Sequence, residues 1–386
     1  MPKNEQNWDF WSYVPSYWHC STRSLINNRN RKRKRKKVGS RSSTYYFSEY
    51  VSEYFPQSFL PPNYDVSEFK PLQPEVTEDF PTTFGESPRI PHIIHQTYKD
   101  TLIPNKFVQY VKTFAKYNPN WKYYFWTDES ARKLIAERHP DFLSTWDNYR
   151  SGLNKADALR YIVLYEFGGI YADIDVENMR SLDRATMKYT CIFPPEPLEQ
   201  AILRLQLHYL INNAIMMCRP KHPFLKQIIS ALPHFRPMAD PIDLAGPCFV
   251  TSQFLSYKNI TGDQYSSEKE PGIDRSPYFY SGSLSNEHEN GVYVPNTRYF
   301  LDTLDTHEPG PHMYQQKCTS SFEKLPLYQQ RACADLQRRG IHRQSSKYVF
   351  TIHNWSQTYT KQEGLDHLSE PGPVDIHLIV PHVNIY

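Results

Sequence analysis

Two aspartates separated by one residue, Asp173 and Asp175, are the feature of this sequence best suited to chemistry. They end an apolar stretch that follows the glycine pair Gly168-Gly169. Side chains two residues apart on a strand point to the same side, and carboxylate oxygens are the ligands that Mg²⁺ and Mn²⁺ prefer. If the stretch is a strand, both carboxylates can hold one divalent cation at its carboxyl end. Two solvated aspartates at a strand end are also common, so the motif alone leaves both interpretations open.

A charged pair precedes this motif. Asp157 and Arg160 stand three residues apart within a predicted helix over 154–167, which places them on one helix face. Apolar residues along the same helix predict that it is buried, and a buried charged pair needs full mutual pairing or a polar ligand. The sequence therefore favours a polar site beside the two aspartates over a simple surface ion pair.

The elements that would position these residues alternate between strands and helices. Strands are predicted over 89–98, 121–126, 170–176, 214–218 and 347–352. Helices are predicted over 104–117, 127–139, 154–167 and 223–232. This alternation predicts an α/β fold around a mainly parallel sheet. Ligands of such sheets gather at the carboxyl ends of the strands, where Asp173 and Asp175 are expected.

The remaining segments lack this periodicity. Residues 1–88 combine a basic run over 31–37 with many prolines and predict a disordered tail. Residues 258–345 are rich in Ser, Asn, Gly, His and Pro and predict an irregular insertion. We therefore expect the catalytic core over 89–257, and a strand that completes the site, followed by a weak tail, over 346–386.

Charge is distributed unevenly along the chain. The 386 residues carry 44 Lys and Arg against 41 Asp and Glu, a net charge of +3. Residues 1–41 hold eleven basic and two acidic residues, so the rest is mildly acidic. The basic run could serve nuclear import or nucleic-acid binding, flank a membrane anchor on its cytoplasmic side, or be a solvated tail. No base-reading module accompanies it, so we expect no specific nucleic-acid partner.

Membrane and redox signals are weak. No stretch reaches the roughly 18 apolar residues of a spanning helix, and the first 30 residues lack the apolar run of a signal peptide. We therefore expect the chain as given to be soluble. The six cysteines show no metal-ligand spacing, and their even number is compatible with disulfides without requiring them.

The order and spacing of several motifs resemble the family 32 glycosyltransferases with their DXD sugar-binding region. The matching segments are 90–98, 119–121, 126–128, 156–160, 168–175, 213–217, 222–224, 246–247 and 353–355. The spacing is most similar to the inositol phosphoceramide mannosyltransferases and more distantly to the initiation-specific α-1,6-mannosyltransferases. The resemblance implies a GT-A type fold with a Rossmann-like nucleotide-binding half. It also implies a Mn²⁺ or Mg²⁺ cofactor and a nucleotide-sugar donor such as GDP-mannose or a UDP-hexose.

The resemblance further implies roles for individual residues. Tyr98 would stack on the nucleotide base, and Trp355 would close the site. The implied catalytic residues are Asp157, Arg160, Asp173 and Asp175. The implied donor-binding residues are Gln96, Thr97, Tyr98, Asp157, Arg160, Gly169, Tyr171, Asp173 and Trp355. The implied metal ligands are Asp173, Asp175 and His353.

The expected function is a metal-dependent retaining glycosyltransferase that moves a hexose, mannose first, to a glycolipid or glycan acceptor, with sphingolipid mannosylation as one case. A galactosyl- or N-acetylglucosaminyltransferase of the same fold and an inactive sugar-binding relative are the alternatives. A haloacid dehalogenase-type phosphatase is a remote one, because its DxD loop follows the first strand of the domain. The resemblance implies the Golgi lumen or membrane, with the cytoplasm as the alternative, and membrane-surface association is a further expectation.

Overall fold

A computed structural model describes residues 58–76, 78–80, 87–235, 244–259, 289–307, 310–341, 346–356 and 372–386. The strands of these ranges are β1 (Ile93–Thr97), β2 (Leu102–Ile103), β3 (Lys122–Trp126), β4 (Gly169–Ala172), β5 (Val176–Asn178), β6 (Cys191–Ile192), β7 (Ile215–Cys218), β8 (Thr351–His353), β9 (Val374–Asp375) and β10 (Val383–Ile385). The helices are α1 (Asn105–Tyr117), α2 (Asp128–Arg138), α3 (Pro140–Asp147), α4 (Gly152–Phe167), α5 (Leu198–Gln200), α6 (Pro223–Ala231), α7 (Pro247–Tyr257), α8 (Gly310–Ser320), α9 (Leu327–Arg339) and α10 (Ile376–Ile379).

Six of these strands form the central sheet, in the order β10-β3-β1-β4-β7-β6. The first four are mutually parallel, whereas β7 is antiparallel to both β4 and β6. Two short antiparallel ribbons, β2 with β9 and β5 with β8, lie outside this sheet. The predicted α/β class is confirmed, with a parallel centre and an antiparallel edge.

The sheet is covered on both faces, as an α/β sheet with helices on either side requires. Every residue of β4 is buried. Ile170 belongs to the apolar cluster that includes Phe107 of α1, while its neighbour Tyr171 belongs to the cluster that includes Leu159 of α4. Because successive strand residues point to opposite faces, one apolar strand supports both layers. The carboxyl end of β4 is thereby held rigidly between helices.

Part of the predicted disordered tail is instead packed. Phe59, Leu60, Phe69 and Phe80 are at most 8% exposed. The segment also hydrogen-bonds to a distant helix, since Leu72 N–H donates to a carboxylate of α9 (2.8 Å). The prediction of disorder is therefore wrong for residues 58–76 and 78–80. The partners of this segment lie some 260 residues away in the chain, so no local sequence pattern predicts the packing. Residues 1–57 lie outside the described ranges.

The predicted irregular insertion and the weak C-terminal tail are also partly wrong. Helices α8 and α9 lie within the insertion and are joined by the disulfide Cys318–Cys333. A second disulfide, Cys191–Cys218, links β6 to β7. Near the C-terminus, β10 extends the central sheet beside β3. Within the described ranges, no helix combines the length and apolarity needed to cross a bilayer.

Candidate active site

The two aspartates lie in the tight turn that joins β4 to β5. Val176 N–H donates to Asp173 O (3.0 Å), and Asp173 N–H donates to Ala214 O, just before β7 (2.7 Å). The predicted continuous strand over 170–176 is therefore wrong. Ile174, between the aspartates, is apolar and only 8% exposed, so it continues the apolar pattern from which a strand is predicted. The turn, not strand alternation, sets the direction of both carboxylates.

A histidine from the other end of the chain meets these carboxylates. Strand β8 pairs with β5 so that His353 is opposite Val176. Asp173, Asp175 and His353 each offer a ligand atom, and these three atoms lie within 4.8 Å of one another. His353 Nε2 is 3.4 Å from Asp175 Oδ1, while its buried Nδ1 has no hydrogen-bond partner among the described residues. Two carboxylates and an imidazole fit a divalent cation such as Mn²⁺.

Electrostatics at this cluster is dominated by negative charge. Burial opposes ionisation of Asp175, yet His353 and the N–H of Ser356 outweigh it and lower the pKa of Asp175 to about 2. Burial and the neighbouring Asp175 raise the pKa of Asp173, against the effect of Arg160. Burial would lower the pKa of His353, but Asp175 raises it above its ordinary value. A bound cation would relieve this concentration of carboxylates.

The charged pair of α4 lies directly beside the first aspartate. Asp157 and Arg160 are each 3% exposed. One guanidinium nitrogen of Arg160 is 2.9 Å from Asp157 Oδ1 and 3.3 Å from Asp173 Oδ1. The other donates to Asn213 O (2.5 Å), and Tyr171 OH donates to Asp173 Oδ1 (2.8 Å). The structure therefore brings the four residues of the implied catalytic set together.

Most of the implied donor-binding residues border the same place. Gln96 Nε2 donates to Asp173 O (3.2 Å). Thr97 and Tyr98 follow at the carboxyl end of β1, where both bond to Trp126 O, and Tyr98 is half-buried. The Trp355 ring centroid lies 4.2 Å from that of His353. Four of these residues therefore line the edge of the sheet at which the aspartates stand.

Gly169 is not brought to the site. It begins β4, four residues before Asp173, and strand geometry puts that separation at roughly 13 Å. Its φ is +100°, and a Cβ there would lie 2.4 Å from Ile93 O. This position needs glycine because β1 and β4 approach closely and the backbone is left-handed. The structure therefore gives Gly169 a structural role, and its implied donor contact stays a prediction.

With this geometry established, comparison with known proteins identifies the region. Residues 104–192 match the family model described as glycosyltransferase sugar-binding region containing DXD motif. The chain carries a DXD glycosyltransferase sugar-binding region. This region spans the Asp157–Arg160 pair and both turn aspartates, whereas His353 lies outside it.

Two curated relatives that this chain resembles are named for mannosyl transfer or for mannosyl phosphorylinositol ceramide synthesis. Inositol phosphoceramide mannosyltransferase 3 of Schizosaccharomyces pombe is 35% identical over 181 residues, which are 46% of this chain and 48% of that protein. Mannosyl phosphorylinositol ceramide synthase CSH1 of Saccharomyces cerevisiae is 31% identical over 240 residues, 59% of this chain and 60% of that protein. The chain spans about half the length of the curated relatives it matches.

Solved structures give a weaker comparison. The PaToxG glycosyltransferase aligns with a TM-score of 0.34 at 19% identity, over 44% of this chain and 70% of that chain. The fold described above rests on the strand order and not on this low similarity.

Three residues beside the DXD motif carry no role in the sequence-based prediction. Asn213 Nδ2 donates to Asp157 Oδ1 (3.0 Å), which fixes the carboxylate that holds Arg160. Ser356 N–H donates to Asp175 Oδ2 (2.8 Å), and Asn354 Nδ2 donates to Asp175 O (3.0 Å). Asn213 and Asn354 lie in segments of the family resemblance and could have been considered. The contact of Ser356 becomes visible only once β8 is known to pair with β5.

Proposed function

We propose that the chain is a metal-dependent retaining glycosyltransferase that transfers a hexose, mannose first, from a nucleotide sugar to a glycolipid or glycan acceptor. The observation that carries the proposal is the meeting of Asp173, Asp175 and His353, with ligand atoms within 4.8 Å, beside the buried Asp157–Arg160 pair. The match to the DXD sugar-binding region supports it. So do the relatives named as mannosyltransferases.

Asp173, Asp175 and His353 would hold the cation. Mn²⁺ or Mg²⁺ in that position supplies a Lewis acid that neutralises negative charge developing on the diphosphate leaving group. The turn between β4 and β5 fixes one aspartate relative to the other, and the hydrogen bond from Ser356 N–H fixes the Asp175 carboxylate. The ligands are thus oriented before the donor binds, which reduces the reorganisation needed in the transition state.

The donor sugar would be oriented by Asp157 and Arg160. The hydrogen bonds of Asp157 to described residues use Oδ1, which leaves Oδ2 to accept from a sugar hydroxyl. Arg160 is held on two sides, by Asp157 and by Asn213 O, so its planar fork has a fixed direction. Fixing the donor close to an acceptor hydroxyl supplies much of the catalysis without a strong nucleophile. Retention by same-face attack is part of the proposal.

The names of two relatives and the disulfides of the chain support an acceptor and a compartment. Two relatives are named for inositol phosphoceramide or mannosyl phosphorylinositol ceramide, so a phosphoinositol-bearing sphingolipid is the proposed acceptor. The disulfides Cys191–Cys218 and Cys318–Cys333 support an oxidising compartment, in keeping with a Golgi lumenal site.

A ligand screen tests the proposal. The full chain would be melted with GDP-mannose, UDP-galactose, UDP-glucose or UDP-N-acetylglucosamine, each with Mn²⁺ and with chelator. A ligand that binds the native state raises the unfolding midpoint. We expect GDP-mannose to raise the midpoint only with Mn²⁺, and Asp175→Asn to abolish that shift. A folded protein that responds to no donor would overturn the proposed function, and a response to a UDP-sugar alone would replace mannose by that sugar.

A further inference from the structure

Glu196 is a buried carboxylate that the sequence resemblance leaves without a role. It follows β6, is 6% exposed and is bonded through both of its oxygens. Oε1 accepts from Asn212 Nδ2 (3.1 Å), and Oε2 accepts from Gln200 Nε2 (2.9 Å). Both partners are neutral amides, so the direct contacts of this buried acid are hydrogen bonds, while Arg204 and His353 act on it through space.

One arm of this network reaches the DXD turn. Asn212 Oδ1 accepts from Ala214 N–H (2.6 Å), and Ala214 O accepts from Asp173 N–H (2.7 Å). Between them stands Asn213, whose carbonyl accepts from Arg160. Glu196 is thus two hydrogen-bonded residues away from the backbone of Asp173.

The other arm reaches the segment that carries the third ligand. Gln200 Oε1 accepts from Asp305 N–H (2.8 Å). Two residues earlier, Thr303 Oγ1 donates to His353 O (2.6 Å), and Thr303 O accepts from the indole of Trp355 (2.9 Å). The same network therefore contacts both sides of the proposed metal site, which are separated by 180 residues in the chain.

We propose that Glu196 is a positioning residue that holds the Asp173 turn and the His353–Trp355 segment at their correct separation. The inference rests on the proposed function and adds to it a residue that acts through its neighbours. Its physical basis is the direction of the hydrogen bonds. An ionised carboxylate only accepts, so Asn212 and Gln200 must both turn their NH₂ groups toward Glu196 and their oxygens outward. Those outward oxygens are the ones that bind Ala214 and Asp305.

The isosteric change Glu196→Gln replaces one accepting oxygen by a donating NH₂ group. The new amide must point its NH₂ group at the NH₂ group of either Asn212 or Gln200. If Asn212 rotates to accept, its bond to Ala214 is lost, and if Gln200 rotates, its bond to Asp305 is lost. Residues that orient metal ligands from behind typically contribute about 10–100-fold to affinity or activity. We therefore expect E196Q to lower kcat/KM by about tenfold or more, both when the donor is varied and when the acceptor is varied.

A second change offers a specific rescue. In E196Q/Q200E, the amide at position 196 donates to the new carboxylate at position 200, whose other oxygen still accepts from Asp305 N–H. The amide oxygen at position 196 still accepts from Asn212. Each hydrogen bond that joins positions 196, 200, 212 and 305 can still form, and the net charge is unchanged. We expect the double variant to recover kcat/KM to within about threefold of wild type, whereas Q200E alone, with two facing carboxylates, should be impaired.

Glu166→Gln is the matched control, because the Glu166 side chain is also little exposed, at 8%, but bonds His139 and Lys221 at the far end of α4. E166Q should leave kcat/KM near the wild-type value. Unfolding midpoints of the wild type, E196Q, Q200E and the double variant supply a second readout that needs no activity, and the double variant should recover stability as well. If the wild type is inactive with every donor, the proposed function fails while the stability cycle still tests the network. If the wild type is active and folded E196Q is unimpaired, or the double variant is no better than E196Q, the positioning role is refuted.

Discussion

Replacing Arg160 by methionine removes the cation that lies between two carboxylates. The guanidinium is 3% exposed, 2.9 Å from Asp157 Oδ1 and 3.3 Å from Asp173 Oδ1. Breaking a buried pair by removing one partner destabilises by about 3–5 kcal/mol, because a buried charge is left uncompensated. Burial already raises the pKa of Asp157 to about 6 with Arg160 beside it. Without Arg160 this carboxyl can take up a proton, so we expect the lower end of the range, about 3 kcal/mol at pH 6.

Lysine at the same position separates charge from geometry. Lys keeps the positive charge but has one nitrogen where Arg160 uses two, so it cannot reach Asp157 and Asn213 O in the same way. We expect R160K to lower the free energy of unfolding by about 1.5–3 kcal/mol, the value of one charged hydrogen bond. The loss in free energy of unfolding caused by R160M should grow as the pH rises above 6. Asp157 must then either ionise without a cation beside it or keep a proton that the unfolded chain releases, and both cost free energy.

Urea unfolding of the wild type, R160K and R160M at pH 6 and pH 8 measures these differences. Arg132→Met is the control, because Arg132 also pairs closely with a carboxylate, that of Asp147, but is 53% exposed. Exposed pairs contribute about 0–1 kcal/mol. Equal losses for R160M and R132M, or no loss for R160M, would refute the reasoning that burial makes the Arg160 pair essential.

Two further predictions concern stability and one concerns stereochemistry. Gly169→Ala should destabilise the protein by about 3 kcal/mol or prevent folding, because the new Cβ would lie 2.4 Å from Ile93 O. The control is Gly152→Ala, whose Cβ would have nothing within 4 Å and which should be neutral or stabilising. Thermal melts of both variants measure the difference. Burial lowers the pKa of His95 to about 4, so this histidine should contribute a fall in stability of up to about 1.4 kcal/mol per pH unit from pH 6.5 toward pH 4. Asp157, with its pKa raised to about 6, contributes with the opposite sign in the lower part of this range, so the test is the difference in slope between the wild type and His95→Gln in urea unfolding. NMR of the first-formed product should show the anomeric configuration of the donor, and an inverted product would exclude same-face attack.

The parts of the fold that the sequence predicted are those with strong local periodicity. Helices α1, α2 and α4 begin and end within two residues of their predicted limits, because their apolar residues recur at helical spacing. The DXD turn was missed because Ile174 is apolar and buried, which extends the strand pattern through it. Helix α9 is not predicted because only Leu327, Tyr328 and Leu336 are large apolar residues among many glutamines and arginines, and it depends on partners elsewhere in the chain.

Long-range pairing was beyond local patterns. Strand β10 joins β3 across about 260 residues, and nothing in its three residues indicates a partner. The site divides in the same way. Asp173 and Asp175 are recognisable as a motif, whereas His353 is predicted as a metal ligand only from the family resemblance. Glu196 carries no local signal, because its role depends on two amides brought to it by the fold.

Binding of Mn²⁺ tests the central claim most directly. In an electron paramagnetic resonance titration, the six-line signal of free Mn²⁺ reports how much metal remains unbound to the full chain, with and without GDP. We expect one site in the wild type, affinity lower by about tenfold or more in Asp175→Asn and His353→Ala, and unchanged affinity in the surface control Asp147→Asn. Wild-type Mn²⁺ binding by folded Asp175→Asn would contradict the assignment of Asp173, Asp175 and His353 as the metal site.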